Sequence, residues 1–297
     1  MIVLNVAKKA DITSVSFFGA AQLLLTVVTK KLRHHHQSHR ALWDVTTAAP
    51  VSAKVIPGFS AHRFGELRAG DWLFGAATQN GLAAHHPATG RTIVEPTGTK
   101  PTRITLTPDG KTVLFCWSSG SRPSRDGFAS RTWSGAGAFG AGFQVDTIAD
   151  GDNGLSPYRC CALVVLPDGS RFLTIEWNWA YSPQLVVRSV STGDALTVAS
   201  IDGREAPSLA LAPDGVRVVV AVLGSLYVFP LGSTLTPQQH IKNTGRKHFT
   251  GIAFHPSGRY LAATSNDATV KLYDTTTWEV ARTVTWDIGR MRSIAFS

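Results

Sequence analysis

The stretch Ile252–Val280, IAFHPSGRYLAATSNDATVKLYDTTTWEV, decides how the rest of the chain is read. Apolar and polar residues alternate up to Phe254, break at Pro256-Ser257-Gly258, and alternate again from Tyr260. A period of two marks half-buried strands. Proline presets φ for the first turn position, Ser or Asp caps the backbone locally, and glycine takes the positive φ that other residues avoid. A third run, VKLYDTTT (Val270–Thr277), ends in polar residues, and a fourth, EVARTVT (Glu279–Thr285), follows it. Two paired hairpins are therefore expected within about forty residues.

The same grammar returns upstream. ITLTPDGKTVLF from Ile104, LVVLPDGSRFLTI from Leu163 and LALAPDGVRVVV from Leu209 each run an apolar strand into Pro-Asp-Gly and out again. The turn prolines are Pro108, Pro167, Pro213 and Pro256, at intervals of 59, 46 and 43 residues. Third strands with polar ends recur as ALWDVTT (Ala41–Thr47), LVVRSVSTG (Leu185–Gly193) and LYVFPLG (Leu226–Gly232). Four short strands per period of this length are the unit of a β-propeller.

Composition agrees. The 297 residues are 43% hydrophobic and 16% charged, with 27 glycines and 15 prolines, which excludes a disordered chain and favours many short strands with tight turns. Formal net charge is +9, favouring acidic partners wherever the charge is concentrated. Cys116, Cys160 and Cys161 are read as small buried hydrophobes, since an odd count with two adjacent residues is no disulfide framework. Ile12–Val28, ITSVSFFGAAQLLLTVV, is barely long enough to span a bilayer and carries Thr13, Ser14, Ser16, Gln22 and Thr26. Two strands joined by Gly19–Gln22 explain it better. The expectation is a cytoplasmic protein that does not enter a membrane.

IAFHPSGRYLAATSNDATVKLYD resembles a WD40 repeat, and Trp43-Asp44 is the dipeptide that names that family. The resemblance is strong over 249–285, clear over about 160–248, and periodic before that. It implies a structural set in which His, Ser or Thr, Asp and Trp brace each blade by hydrogen bonds. Ser265 and Asp267 match that set, Tyr273 replaces Trp, and Gly245 stands at the expected His position. The brace is thus expected to be incomplete, leaving strand pairing and apolar packing to hold the blade. Asp109-Gly110, Asp168-Gly169, Asp214-Gly215, Gly258 and Asp274 are the other repeat positions with a structural role.

The reading is one all-β domain over 1–297, a propeller of four-stranded blades at about 12–56, 60–97, 102–148, 160–201, 206–242 and 249–285. Residues 1–6 and 291–297 then supply parts of an incomplete seventh blade. Because its two middle strands are missing, the chain is read as a divergent, truncated member of the family, closure as six blades being the alternative.

Inner strands such as Ser208–Ala212, Ala162–Leu166 and Gly251–Phe254 offer a central channel few carboxylates or histidines. There is no Ser/His/Asp context, phosphate loop or dinucleotide fingerprint. No catalytic residue, metal site or cofactor is expected; HHHQSHR (His34–Arg40) reads as a solvated loop. Loops joining second to third strands are enlarged at Lys30–Arg40, Ser118–Arg131 and Trp177–Pro183. They bring Lys30, Lys31, Arg33, Arg40, Arg122, Arg125 and Arg131 together with Trp177, Trp179 and Tyr181, and the loops between blades add residues such as Arg246 and Lys247. The opposite face receives Asp44, Asp109, Asp168, Asp214 and Asp274. The function expected is a non-enzymatic scaffold whose basic, partly aromatic loop face binds a protein partner through an acidic segment. Nucleic acid on the same face and a propeller enzyme or small-ligand sensor using the channel are the alternatives.

Overall fold

The structure, a computed structural model, describes residues 10–18, 23–31, 36–44, 50–54, 59–60, 67–77, 80–86, 89–117, 126–147, 159–177, 182–203, 207–285, 294 and 296. Only the backbone is described before Leu67 and at 68, 146, 147, 159, 161, 177 and 246. Two compact units emerge, Met1–Trp117 with Arg131–Ala141, and Ser118–Ser130 with Gly142–Ser297.

In the first unit, β1 (Ala10–Phe18), β2 (Leu23–Lys31), β3 (His36–Asp44) and β4 (Pro50–Lys54) form an antiparallel sheet in chain order. The apolar segment Ile12–Val28 is thereby two paired strands, with Val15 opposite Thr26. The second sheet pairs both β5 (Phe59–Ser60) and β6 (Leu67–Ala69) with β7 (Trp72–Ala77), followed by β8 (Gly81–His85) and β9 (Thr92–Pro96). A hairpin of β10 (Pro101–Leu106) and β11 (Thr112–Trp117) comes next. The unit boundary runs through β12 (Asp126–Trp133). Its Thr132-Trp133 end pairs with β13 (Phe139–Gly140) in the first unit, and its Asp126–Ala129 end pairs with β14 (Gln144–Thr147) in the second.

The second unit continues with three four-stranded sheets, each in chain order. They are β15 (Arg159–Val165), β16 (Arg171–Trp177), β17 (Gln184–Ser189) and β18 (Ala195–Ser200); β19 (Ser208–Leu211), β20 (Arg217–Val222), β21 (Ser225–Pro230) and β22 (Gln239–Lys242); and β23 (Phe249–Phe254), β24 (Tyr260–Ser265), β25 (Thr269–Asp274) and β26 (Val280–Thr285). First strands are neighbours, β15 beside β19 and β19 beside β23. Burial follows strand rank. Second strands such as Arg217–Val222 and Tyr260–Ser265 are buried along almost their whole length, whereas fourth strands such as Val280–Thr285 are mostly exposed. Strands covered on both faces lose the alternation of a one-sided sheet and become apolar runs. VVVAV (Val218–Val222) is such a run.

Each Pro-bearing turn closes in the same way. Gly110, Gly169, Gly215 and Gly258 donate from N–H to the carbonyls of Thr107, Leu166, Ala212 and His255 at 2.8–2.9 Å. Their φ angles of 68–74° lie in the left-handed region, the reason glycine is needed there. Register also repeats. A bulge sits near the start of β1, β10, β15 and β23, between Ile12/Ser14, Pro101/Arg103, Cys160/Ala162 and Phe249/Gly251. A second recurs where the fourth strand meets the third, at Leu42/Trp43, Val187/Arg188 and Leu272/Tyr273. Bulges add twist and spoil an edge as a template for further pairing.

The core between the sheets of the second unit is mainly aliphatic, with Leu173, Ile175, Leu185, Val218 and Val220 at 0% exposure beside the equally buried ring of Phe229. Full burial of each such side chain contributes about 1.5–3 kcal/mol. Beyond the last sheet, Ile294 and Phe296 pack on Ala262 and Val270, with Phe296 edge-on to His255 at 5.0 Å. Residues 1–6 lie outside the described residues.

Candidate functional site

Neighbouring strands are antiparallel, so in each sheet the starts of first and third strands share one end with the ends of second and fourth strands. The Pro-bearing turns mark the other end. Lys30 and Lys31 finish β2, Lys54 finishes β4, Lys242 finishes β22, and Lys100 and Lys247 precede β10 and β23. All six belong to the first end.

The enlarged loops are shorter than the sequence indicated. Lys30 pairs with Gln37 and Lys31 with His36, so β2 and β3 absorb most of Lys30–Arg40, and Arg40 lies opposite Val27 within the ladder. Strand pairing satisfies the backbone of these polar residues, and charge alone does not make a loop. Likewise β12 begins at Asp126, which puts Arg131 in a strand rather than in the loop Ser118–Arg131. Its Nε lies 3.4 Å from Glu95 Oε1, its guanidinium 5.9 Å from the Phe115 ring, and its side chain is 17% exposed. Arg131 therefore braces the first unit. Trp177 ends β16 with only its backbone described, Arg246 sits with its backbone in a 3₁₀ turn, and Lys247 is exposed. Arg33, Arg122, Arg125, Trp179 and Tyr181 lie outside the described residues, as do His34 and His35.

Acids at this end are largely occupied. Glu176 Oε1 accepts from Arg188 Nη2 at 2.7 Å, from Arg188 Nε at 2.9 Å and from Thr174 Oγ1 at 2.7 Å. The same guanidinium lies 4.4 Å from the Phe128 ring. Both members are nearly buried, at 8% and 12% side-chain exposure. Asp267 Oδ1 accepts from Thr269 N at 3.2 Å and Thr269 Oγ1 at 2.6 Å. Burial alone would raise the Asp267 pKa, but hydrogen bonds from Thr269 and Ser265 outweigh it and hold the carboxyl below its ordinary value. In contrast, Lys100, Lys242 and Lys247 are exposed and form no ion pair with any described residue; Asp202 is an exposed acid at the same end.

A bracing network crosses the last sheet. Asn243 Nδ2 donates to Ser265 Oγ at 3.1 Å, and Ser265 Oγ donates to the His248 carbonyl at 3.2 Å. Lys271 Nζ donates to Asn243 Oδ1 at 2.6 Å and to Thr244 Oγ1 at 2.9 Å, from a residue only 8% exposed. Gly245, at φ 65°, turns the backbone where the family's His would stand, and Asn243 with Lys271 takes over the tie between the entering loop and the β24–β25 hairpin. Tyr273 is 1% exposed, and burial pushes its hydroxyl up to about 12. Sequence reasoning missed Asn243 and Lys271. The available signal was a lysine inside an otherwise apolar third strand.

At the other end, three acids are matched locally by arginines, while exposed Asp109, Asp194 and Glu279 form no ion pair with any described residue. Arg171 Nη2 lies 2.7 Å from Asp168 Oδ2 and Arg217 Nη2 lies 2.8 Å from Asp214 Oδ2. Arg259 Nε stands 3.8 Å from Asp274 Oδ2. Trp43 and Asp44 end β3 with only their backbone described. Among the described residues, no three His, Cys, Asp or Glu side chains cluster closely enough to hold a metal ion. Nor is any described helix long and apolar enough to cross a membrane.

These features meet those of known proteins at two scales. The whole chain matches the β-propeller domain of Cps50 (Swd1) from Myceliophteria thermophila with a TM-score of 0.71 at 12% identity, covering 98% of this chain and 92% of that one. The fold is thus an all-β propeller of four-stranded blades. Residues 236–274, running from before β22 to the end of β25, match the WD40 family, the WD domain or G-beta repeat. The chain thus carries a WD40 repeat at 236–274 within a β-propeller fold. No curated protein sequence matches it.

Proposed function

We propose that the chain is a non-enzymatic interaction scaffold whose strand-start ends, carried by one propeller domain over 1–297, dock an acidic segment of a protein partner. One observation carries the reading. At that end Glu95, Glu176 and Asp267 are taken up by internal partners, while exposed lysines have none among the described residues. At the turn end, Arg171 and Arg217 answer Asp168 and Asp214 in place, and exposed Asp109, Asp194 and Glu279 add negative rather than positive charge. Rigid blades hold the loops in position at little cost in ordering, and lysine and arginine charge raises the rate of encounter. Arg33, Arg122, Arg125, Trp179 and Tyr181, which fall between second and third strands in sequence, are assigned to the same face as part of this proposal.

The test is titration of a labelled glutamate-rich peptide into the full chain at rising salt. Affinity is expected to fall with ionic strength and to drop at least about tenfold, or 1.4 kcal/mol, in the variant K30E/K31E/R122E/R125E. Arg131 is left out because its loss would disturb the Glu95 contact. Unchanged binding in that variant overturns the proposal. Tighter capture of a single-stranded oligonucleotide of equal charge would assign the face to nucleic acid instead.

A further inference from the structure

The last strand of each sheet is an open edge, and an open edge recruits further strands unless charge, proline or shortness blunts it. Among the described outer strands, all but one are blunted. Lys54 closes β4, Glu95 stands in β9, Asp146 in β14, Lys242 in β22 and Arg282 in β26. The exception is β18, Ala195–Ser200, whose sequence ALTVAS holds neither charge nor proline. Its apolar residues are also open to solvent, Leu196 at 55% and Val198 at 50% exposure.

The backbone of this edge is available in a defined pattern. Ile201 N–H donates to the Pro183 carbonyl at 2.8 Å, and Thr197–Ser200 pair in unbroken register with Val187–Gln184. Successive residues of an antiparallel strand direct their backbone groups to opposite sides. Thr197 and Ala199 therefore spend their N–H and C=O on β17, as Ile201 does, whereas Val198 and Ser200 turn theirs to the open side. Among the described residues no strand pairs with that side. The bulge between β17 and β18 falls before Thr197 and leaves this run regular.

Charge indicates what the added strand should be. Asp194 immediately precedes β18 and Asp202 follows two residues beyond it. Both are exposed, and neither forms an ion pair with a described residue. The arginines nearby are engaged. Arg188, opposite Ala195 in the ladder, is held by Glu176 and the Gly193 carbonyl, and Arg171 is held by Asp168. An uncharged apolar edge bracketed by two carboxylates complements an extended segment with an apolar centre and Lys or Arg at its ends. A second copy of β18 fits less well, since antiparallel self-pairing would bring Asp194 of one chain near Asp202 of the other.

We propose that β18 is a strand-addition edge, at which a partner segment with an apolar centre and basic ends joins as a fifth strand and exchanges hydrogen bonds with the backbone of Val198 and Ser200. The site takes a basic segment on the outer edge of one sheet, so it does not rest on the acidic-partner reading.

The experiment titrates the labelled peptide acetyl-KKVTVTVKK-amide into the full chain, with anisotropy reporting affinity and amide hydrogen exchange reporting place. At saturation the Val198 and Ser200 amides should exchange at least about tenfold more slowly, while those of Thr197 and Ala199 change little. Val198→Lys, which gives β18 the kind of charge its counterparts carry, should weaken binding at least about tenfold. Val280→Lys places the same charge at a 46% exposed position of β26 and should leave binding unchanged within the error of the titration. Replacing both Asp194 and Asp202 by Asn should weaken binding several-fold and flatten its salt dependence. Absence of binding, binding without protection at Val198 and Ser200, or equal losses in Val198→Lys and Val280→Lys overturns the proposal. Sedimentation that shows the chain alone self-associating, and Val198→Lys abolishing it, assigns the edge to a second copy and overturns it too.

Discussion

Between Arg159 and Thr285 the core is mainly aliphatic, dominated by Leu, Val and Ile of second and third strands, and every Pro-bearing turn repeats one hydrogen-bond scheme. Between Leu67 and Phe139 it is aromatic, with Trp72, Phe74, Trp133 and Phe139 in edge contact. Branched aliphatic side chains fill the space between twisted sheets without leaving room. Large planar rings, restricted to a few favourable angles, fill it less evenly. The lesson is that sequence regularity and packing regularity go together here. The irregular region is where a cavity of about 600 Å³ coexists with a buried donor, Trp133 Nε1–H, that has no partner among the described residues.

The largest expected effect tests that contrast. Phe229→Ala, in the aliphatic core at 0% exposure, should cost about 3–5 kcal/mol in urea unfolding. Phe74→Ala, at 1% exposure and packed on Trp133, should fall at the low end of that range, since rings beside an existing cavity relax into it more easily. A costlier Phe74 truncation would break the contrast.

Next comes the pair Glu176–Arg188. Glu176→Ala strands a nearly buried guanidinium and should cost about 3 kcal/mol, whereas the double change Glu176→Leu with Arg188→Met should recover most of that loss. A double-mutant cycle reads both.

Tyr273 supplies a pH test. Its folded-state value is pushed up to about 12, above the ordinary 10.0, so the neutral form is the one the fold favours. The stabilisation is complete below pH 10 and disappears as pH rises towards 12. Tyr273→Phe should flatten that alkaline loss relative to wild type in parallel unfolding curves.

The turn arginines should matter least. Asp168 and Asp214 feel burial that would raise their values, yet hydrogen bonds from Arg171 and Ser170, and from Val216 and Arg217, hold both below the ordinary 3.8. Their contribution is present above that pH and is lost as pH falls through the lower folded value. The pairs are about a third exposed, so Arg171→Ala or Arg217→Ala should cost below about 1 kcal/mol near neutrality and shrink the acid loss.

The all-β propeller and its repeat were legible because Pro-Asp-Gly turns and period-two strands act locally. The second sheet was harder to read, since Ala69-Gly70-Asp71 replaces the Pro-bearing turn and two short strands, β5 and β6, share β7. The recurrent first-strand bulges left only a faint trace, threonine at the skipped positions Thr13, Thr102 and Thr250 with Cys161 at the fourth. Charged residues misled most. Arg131 reads as a loop cation but lies in a strand beside Glu95, and Lys271, assigned no role from sequence, is buried against Asn243. Such pairings join residues 36 and 28 positions apart, beyond any local rule.

Which end of the blades receives a partner is the claim on which the functional account turns, and amide hydrogen exchange with a bound glutamate-rich peptide measures it directly. Protection should concentrate at 30–40, 118–125 and 243–248. Protection confined to the turns at 107–112, 166–171, 212–217 and 255–260 would contradict it.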